Sequence, residues 1–333
     1  MKQSSPIISK TQIKPSSLQL RHLFEFKRLI NLISSTTKIL HFQFSIMYCT
    51  CCNSKDIKSS PLFLKGFYLC KGCGLIFQNG TGTVNQTDNI VRHYQNSDPH
   101  ETVAFSKNFF FEFALKALRS KIGIRNKRIL DVGCGYGYFL KMALSKGWEP
   151  QGVEVADDAV SASRKKIGCN NVFHGDLKAC CLEEESFDAI TLWDVLVMVN
   201  SPYEELKECR RILKQNGTIG IRLRNVVFQK WVYGIHLPFK RIYRKFGVKH
   251  PTVFHPFCFS PRSIRQLLQK TGFTNIRIEN SPLTSGDPYA YGISRVLVHL
   301  TKEFIHLISN FVFKISRGRW IIGPSLLIWA EKP

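Results

Sequence analysis

One run of nine residues, Ile129-Leu130-Asp131-Val132-Gly133-Cys134-Gly135-Tyr136-Gly137, restricts the fold of this chain more than any other. Its first half is apolar apart from Asp131, which predicts a short buried strand over 128–132. Its second half alternates glycine with other residues. A backbone without Cβ atoms can turn sharply there and approach a ligand that any side chain would block. Proteins that seat a pyrophosphate on a helix terminus favour a Gly-x-Gly-x-x-Gly spacing. Here the strand is tipped by Asp131, whose carboxylate would repel pyrophosphate and suit a cationic ligand.

Around this run, strand and helix patterns alternate. Strands are predicted over 128–132, 150–155, 171–174, 189–193, 218–222, 274–279 and 325–330, and helices over 138–145, 157–166, 203–214 and 262–271. Ser260 and Pro261 start the last of these helices as N-cap and first helical residue, and Asn216-Gly217 reads as the turn before the fifth strand. A further helix over 105–119 covers the domain. The segment 293–315 is amphipathic, read as a helix packed on the sheet, with a membrane-surface helix as the alternative. The fold class is therefore α/β, a mostly parallel seven-stranded sheet with helices on both faces, and its ligands belong at the carboxyl ends of the strands.

Acids recur at the right strand ends. Glu154, followed by Val155, closes the second strand about twenty residues after the glycines, where it can accept hydrogen bonds from ribose hydroxyls. Asp176-Leu177 follows the third strand, and Trp193-Asp194 ends the fourth. With Asp131, Gly133, Cys134, Gly135, Tyr136 and Gly137, this order resembles the class I S-adenosylmethionine-dependent methyltransferases, a Rossmann-like family. The resemblance implies that Asp131 and the glycine turn hold the amino-acid half of S-adenosyl-L-methionine. It also implies that Asp176 accepts from the adenine amino group, that Leu177 packs on the ring, and that Trp193 and Asp194 neighbour the cofactor. Relatives of the quinone and sugar methyltransferase type carry Leu-Glu-His where this chain has Leu196-Val197-Met198, so a role for that Glu or His is absent.

A second signal precedes the first. Cys49-x-x-Cys52 and Cys70-x-x-Cys73 fit four thiolates around one tetrahedral, structural zinc ion, with Cys51 as a spare thiol. Such a site leaves no open position for a substrate. The zinc ribbon, the core and the segment His255 to Arg262 together resemble a bacterial group that includes sugar C-methyltransferases, from residue 49 to about 280 and in the final strand. That resemblance implies an acceptor site covered by the His255 segment, in which His255 is the candidate general base, with a structural histidine as the alternative reading. Phe254 stands where relatives carry an acid, and Tyr94, Tyr233 and His250 are lesser candidates.

Organisation follows from these pieces: a basic leader over 1–46 read as disordered, a zinc ribbon over 47–80, linker and covering helix over 81–125, and the S-adenosylmethionine-dependent domain over 126–333 with a basic insertion over 225–259. The leader, with Glu25 as its lone acid, is either a targeting segment or an upstream start ahead of Met47. Eleven scattered cysteines favour a reducing, cytoplasmic compartment. The formal charge of +23 favours anionic partners, and no acid lies between Glu208 and Glu279. Two functions remain. One is an enzyme acting on a small, nucleotide-linked or lipid-linked anionic acceptor such as a sugar, with peripheral membrane contact open to it. The other is a nucleic-acid-binding protein or RNA methyltransferase, stacking bases on Phe228, Trp231, Tyr233 and Tyr243.

Overall fold

Apolar strands alternating with amphipathic helices can bury both faces of a sheet only if the helices wrap around it. The computed structural model shows that arrangement and describes residues 48–60, 66–78, 100–123, 127–236, 238, 254–284 and 295–333. The leader, the linker over 80–95 with Tyr94, and Lys240, Arg241, Tyr243, Arg244, Lys245, Lys249 and His250 lie outside the described residues.

In chain order the elements are β1 (Ile57–Ser59), β2 (Phe67–Cys70), β3 (Ile76–Gln78), α1 (His100–Ile122), β4 (Arg128–Val132), α2 (Tyr138–Ser145), β5 (Glu149–Glu154), α3 (Asp157–Ile167), β6 (Val172–His174) and β7 (Phe187–Trp193). They continue with α4 (Pro202–Ile212), β8 (Leu213–Arg224), α5 (Val226–His236), β9 (Phe257–Cys258), α6 (Pro261–Lys270), β10 (Thr274–Asn280), α7 (Arg295–Ile315) and β11 (Ser325–Glu331). The main sheet has seven strands in the order β10-β11-β8-β7-β4-β5-β6. Pairing is parallel from β8 through β7, β4 and β5 to β6, and β11 runs antiparallel to both of its neighbours. The chain leaves β4 towards β5 on one side and returns to β7 on the other, so the crevice beyond the carboxyl ends of β4 and β7 is the switch point where such sheets take ligands.

The core explains why α1 lies where it does. Phe110, Phe111, Ala114, Leu115 and Leu118 share one helical face and pack with Ile129, Phe139, Ala189, Trp193, Leu327 and Trp329. The expected turn at Asn216-Gly217 is instead an excursion within β8. Phe187 pairs with Leu213 and Ala189 with Thr218, so a single residue of β7 faces residues 214–217, and Asn216 takes φ 60° there. That single residue, Asp188, accepts from Arg128 N–H and from Lys214 Nζ, both at 3.0 Å.

A second sheet, β1-β2-β3-β9, joins sequence-distant pieces. The ribbon strands pair as an antiparallel meander, and β9 completes it through Ile76 opposite Cys258 and Phe77 opposite Phe257. The ribbon is thus closed by a strand from the far end of the basic insertion. The helix that follows, α6, is capped by Ser260 and Ser263 in a reciprocal pair, with Pro261 in its first turn.

Candidate active site and metal centre

The turn after β4 is built by backbone geometry. Gly133 N–H and Cys134 N–H both donate to Val153 O, at 2.8 and 3.1 Å, which folds the turn over the end of β5. Gly133 has φ 68°, and a Cβ there would meet Val195 Cγ2 at 2.5 Å; Gly137 has φ 73°, and a Cβ there would run into Ser163 of α3. The protein's own packing thus also demands two of these glycines. Cys134 points away from the crevice, into a cluster with Leu140, Val160, Ile167 and Val172. Its backbone remains in the turn. Tyr136 is half-buried beside Glu154 and Asp158, and burial raises its phenol.

Two carboxylates meet this turn from adjacent strands. Asp131 is buried and accepts a 2.6 Å hydrogen bond from Thr191 Oγ1. Burial pushes its pKa up to about 7, against the pull of the Thr191 hydroxyl and of Lys107. Such a group gains from a cation placed beside it. Glu154, also buried, accepts from Gly135 N–H at 2.8 Å, Val155 N–H at 2.9 Å and Ala156 N–H at 3.0 Å. Burial raises its pKa and the three amides hold it back. Gly175 N–H donates to Glu154 O, which brings Asp176 beside this end of the sheet. Asp176 is exposed and accepts from Ala179 N–H at 2.7 Å, while Leu177 is buried.

The end of β7 carries Trp193 and Asp194. Trp193 sits among Phe110, Phe139 and Trp329, with ring centroids at 4.9, 5.5 and 6.4 Å, and its Nε1 is buried without a hydrogen-bond partner. It packs the floor beside Asp131 and Thr191. Asp194, at φ 67°, is clamped by Arg222 and by Lys107 Nζ at 3.2 Å. Arg222, Lys107 and Arg224 hold its carboxyl well below the usual range against its burial. The acid expected to neighbour the cofactor is therefore outnumbered by cations. Lys107, Thr191 and Arg222, which hold the carboxylates of Asp131 and Asp194, are not singled out by any motif in the sequence. A legible signal existed for Arg222, a charge inside the buried run Ile219-Gly220-Ile221-Arg222-Leu223.

The loop after β7 links this crevice to His255. Val195 covers Gly133, and three residues on, Met198 Sδ lies 3.1 Å from His255 Nδ1. Phe257 N–H donates to Val197 O at 3.2 Å. Tyr233 packs edge-on against Phe254, Phe228 is half-buried, and Trp231 is exposed.

The ribbon brings the Sγ atoms of Cys49, Cys52, Cys70 and Cys73 within 4.8 Å of one another, with Cys49 to Cys73 and Cys52 to Cys70 at 3.5 Å. Four thiolates about 2.3 Å from one zinc ion would stand roughly 3.8 Å apart, so the donor set fits that ion. Cys51, the spare thiol, lies beside Cys49 and Cys73. Its thiol donates to Ser263 O at 3.0 Å and fastens the first knuckle to α6.

Comparison with known proteins matches residues 107–278 to the family described as "Methyltransferase domain". A protein named ubiquinone biosynthesis O-methyltransferase, from Glaesserella parasuis serovar 5 (strain SH0165), is 29% identical over 108 residues, 30% of this chain and 46% of that protein. One of the same name from Coxiella burnetii (strain Dugway 5J108-111) is 25% identical over 126 residues, 36% of this chain and 53% of that protein. The chain spans about half the length of the curated relatives it matches. Among solved structures, geranyl diphosphate C-methyltransferase of Streptomyces coelicolor A3(2) is 15% identical with a TM-score of 0.49, covering 75% of this chain and 99% of that one.

Proposed function

This chain belongs to the methyltransferase-domain family, and we propose that it moves a methyl group from S-adenosylmethionine to a small anionic acceptor beside the carboxyl ends of β7 and β8. What supports the donor assignment is the pairing of a buried, proton-hungry Asp131 with a glycine turn to which Glu154 is fastened. When bound, the donor supplies an electrophilic methyl group on a sulfonium centre. The chain's own work is to hold it. Asp131 is placed for the ammonium, Glu154 for the ribose hydroxyls through lone pairs that its amide partners leave over, and Asp176 and Leu177 for the base.

What supports an anionic acceptor is the charge around Asp194. Lys107, Arg222 and Arg224 surround that one carboxylate, so the rim keeps a positive excess. Phosphate or carboxylate groups of a sugar or related metabolite, nucleotide-linked or lipid-linked, meet that excess. The relatives' printed names support a hydroxyl as the methylated group. His255 is then the base: in the tautomer whose Nδ1–H faces Met198 Sδ, Nε2 carries the basic lone pair and takes the acceptor proton as the oxygen captures the methyl group. Displacement at carbon needs no protein nucleophile, so alignment and exclusion of water supply the remaining acceleration. Zinc held by Cys49, Cys52, Cys70 and Cys73 keeps the ribbon folded and takes no part in the chemistry.

The test is a panel of hydroxylated acceptors assayed with and without a phosphate group. We expect the phosphorylated members to react at least about tenfold faster in kcat/KM, the worth of one charge-assisted contact. Equal turnover of the neutral members would remove the anionic assignment. Replacing His255 with Ala should lower kcat by about 10² to 10⁴ while leaving donor affinity unchanged.

A further inference from the structure

The helix α7 wears its apolar side outward. Leu300, Phe304, Leu307, Ile308, Phe311 and Ile315 recur at helical spacing along one face, and Phe304, Leu307 and Phe311 are 63%, 68% and 63% exposed. The opposite line is thin. Among the side chains described in α7, Ser309 alone is buried, with Ile305 and Val312 half-buried beside it. Polar contacts seat that line on β10: Asn280 Nδ2 donates to Ser309 O at 3.0 Å and to Asn310 Oδ1 at 3.3 Å. A helix whose role was to cover its sheet would bury the wide apolar stripe, as α1 does with Phe110 to Leu118. Exposed apolar area of this extent on one helix marks a contact surface.

Charge decides what the surface meets. Lys314, Arg317 and Arg319 are exposed at the end of the stripe, next to Trp320 at 67% exposure. Glu303 is the one acid of α7, and it pairs with His299 at 3.2 Å. A second copy laid face to face would set these cations against their own kind, as would the basic leader of the chain. An apolar stripe about 22 Å long, rimmed by lysine and arginine with tryptophan at its edge, fits the headgroup layer of an anionic bilayer. No described helix is long and apolar enough to cross a membrane, so the contact is a surface one.

We propose that α7 and the turn through Trp320 dock this protein on anionic lipid surfaces, with the helix lying in the plane of the headgroups. The inference does not depend on the identity of the methyl acceptor. Flotation with phosphatidylcholine vesicles, with and without roughly one-third phosphatidylglycerol, tests it. Wild-type protein should float with the anionic vesicles and far less with the neutral ones. The triple variant Phe304→Ser, Leu307→Ser, Phe311→Ser should lose at least about tenfold in vesicle affinity. The pair Arg317→Gln, Arg319→Gln leaves the apolar stripe intact and should lose about fivefold for each charge. Calorimetric donor binding reports whether each variant is folded. Failure of the wild type to float with anionic vesicles would overturn the proposal. So would a folded triple variant that floats like wild type, or one that differs only by changing from dimer to monomer on a sizing column.

Discussion

The glycine turn and the cysteine ribbon are built by opposite means. The donor turn is local: its carboxylates and glycines lie between Asp131 and Asp176, and its hydrogen bonds run between neighbouring strand ends. The ribbon is assembled from afar. Cys51 reaches Ser263, Lys270 Nζ reaches Asn53 Oδ1 at 2.7 Å, and β3 pairs with β9. Local construction lets the turn form with the sheet. The ribbon depends instead on a metal-sized knot of thiols and on a two-residue strand about 180 positions further along the chain. Damage to the ribbon should therefore spare donor binding, whereas damage to the turn should not spare catalysis.

Denying the four-cysteine site its proposed zinc, by chelation or by Cys73→Ser, is the largest break on offer, since a structural zinc site carries about 10 kcal/mol of folding free energy in small modules. Turnover should vanish and β9 should become open to hydrogen exchange, while calorimetry still detects donor binding. A parallel loss of donor affinity would show that the two regions are not independent. Next comes Gly133→Ala, which combines positive φ with the clash against Val195. It should cost about 2 to 4 kcal/mol in thermal or denaturant unfolding and abolish donor binding. Glu154→Gln sets an amide NH2 or a neutral oxygen against Gly135 N–H and should weaken donor binding by about 1 to 3 kcal/mol, with the ribbon untouched.

The smallest effect is a pH dependence. Asp131 is half-protonated near pH 7 before the donor arrives. A bound ammonium favours its ionised form, so donor affinity should rise with pH through about 7 by at most tenfold per unit and then level off. Asp131→Asn should flatten that profile. The stability sign runs the other way. A carboxylate whose pKa is raised in the folded state binds its proton more tightly there than in the unfolded chain, so its contribution declines as pH climbs from about 4 to 7. The Asn variant, weaker for the donor, should be the more stable protein at pH 8, and a denaturation series at pH 5 and 8 reads the difference.

Much of the donor turn was legible in the sequence because its determinants are short-range. The run from Ile129 to Gly137 and the acids at the strand ends each announce themselves within a few residues. Contacts across long separations were not legible. No periodicity marks Phe257 and Cys258 as a strand, since two residues carry no pattern, and their partners lie about 180 positions away. The clamp on Asp194 needed three elements to meet. Amphipathicity in α7 was plain, but a pattern tells which residues share a face and not which face the fold covers.

The strand β9 bears on engineering as well. Phe257 and Cys258 are buried between the meander and the loop over the glycine turn, so a cut near residue 80 would strip them of cover. A chimaera that exchanges acceptor preference between relatives would have to carry the cysteine knuckles and the 254–263 stretch together as one transplant, although nearly two hundred residues of host sequence lie between them.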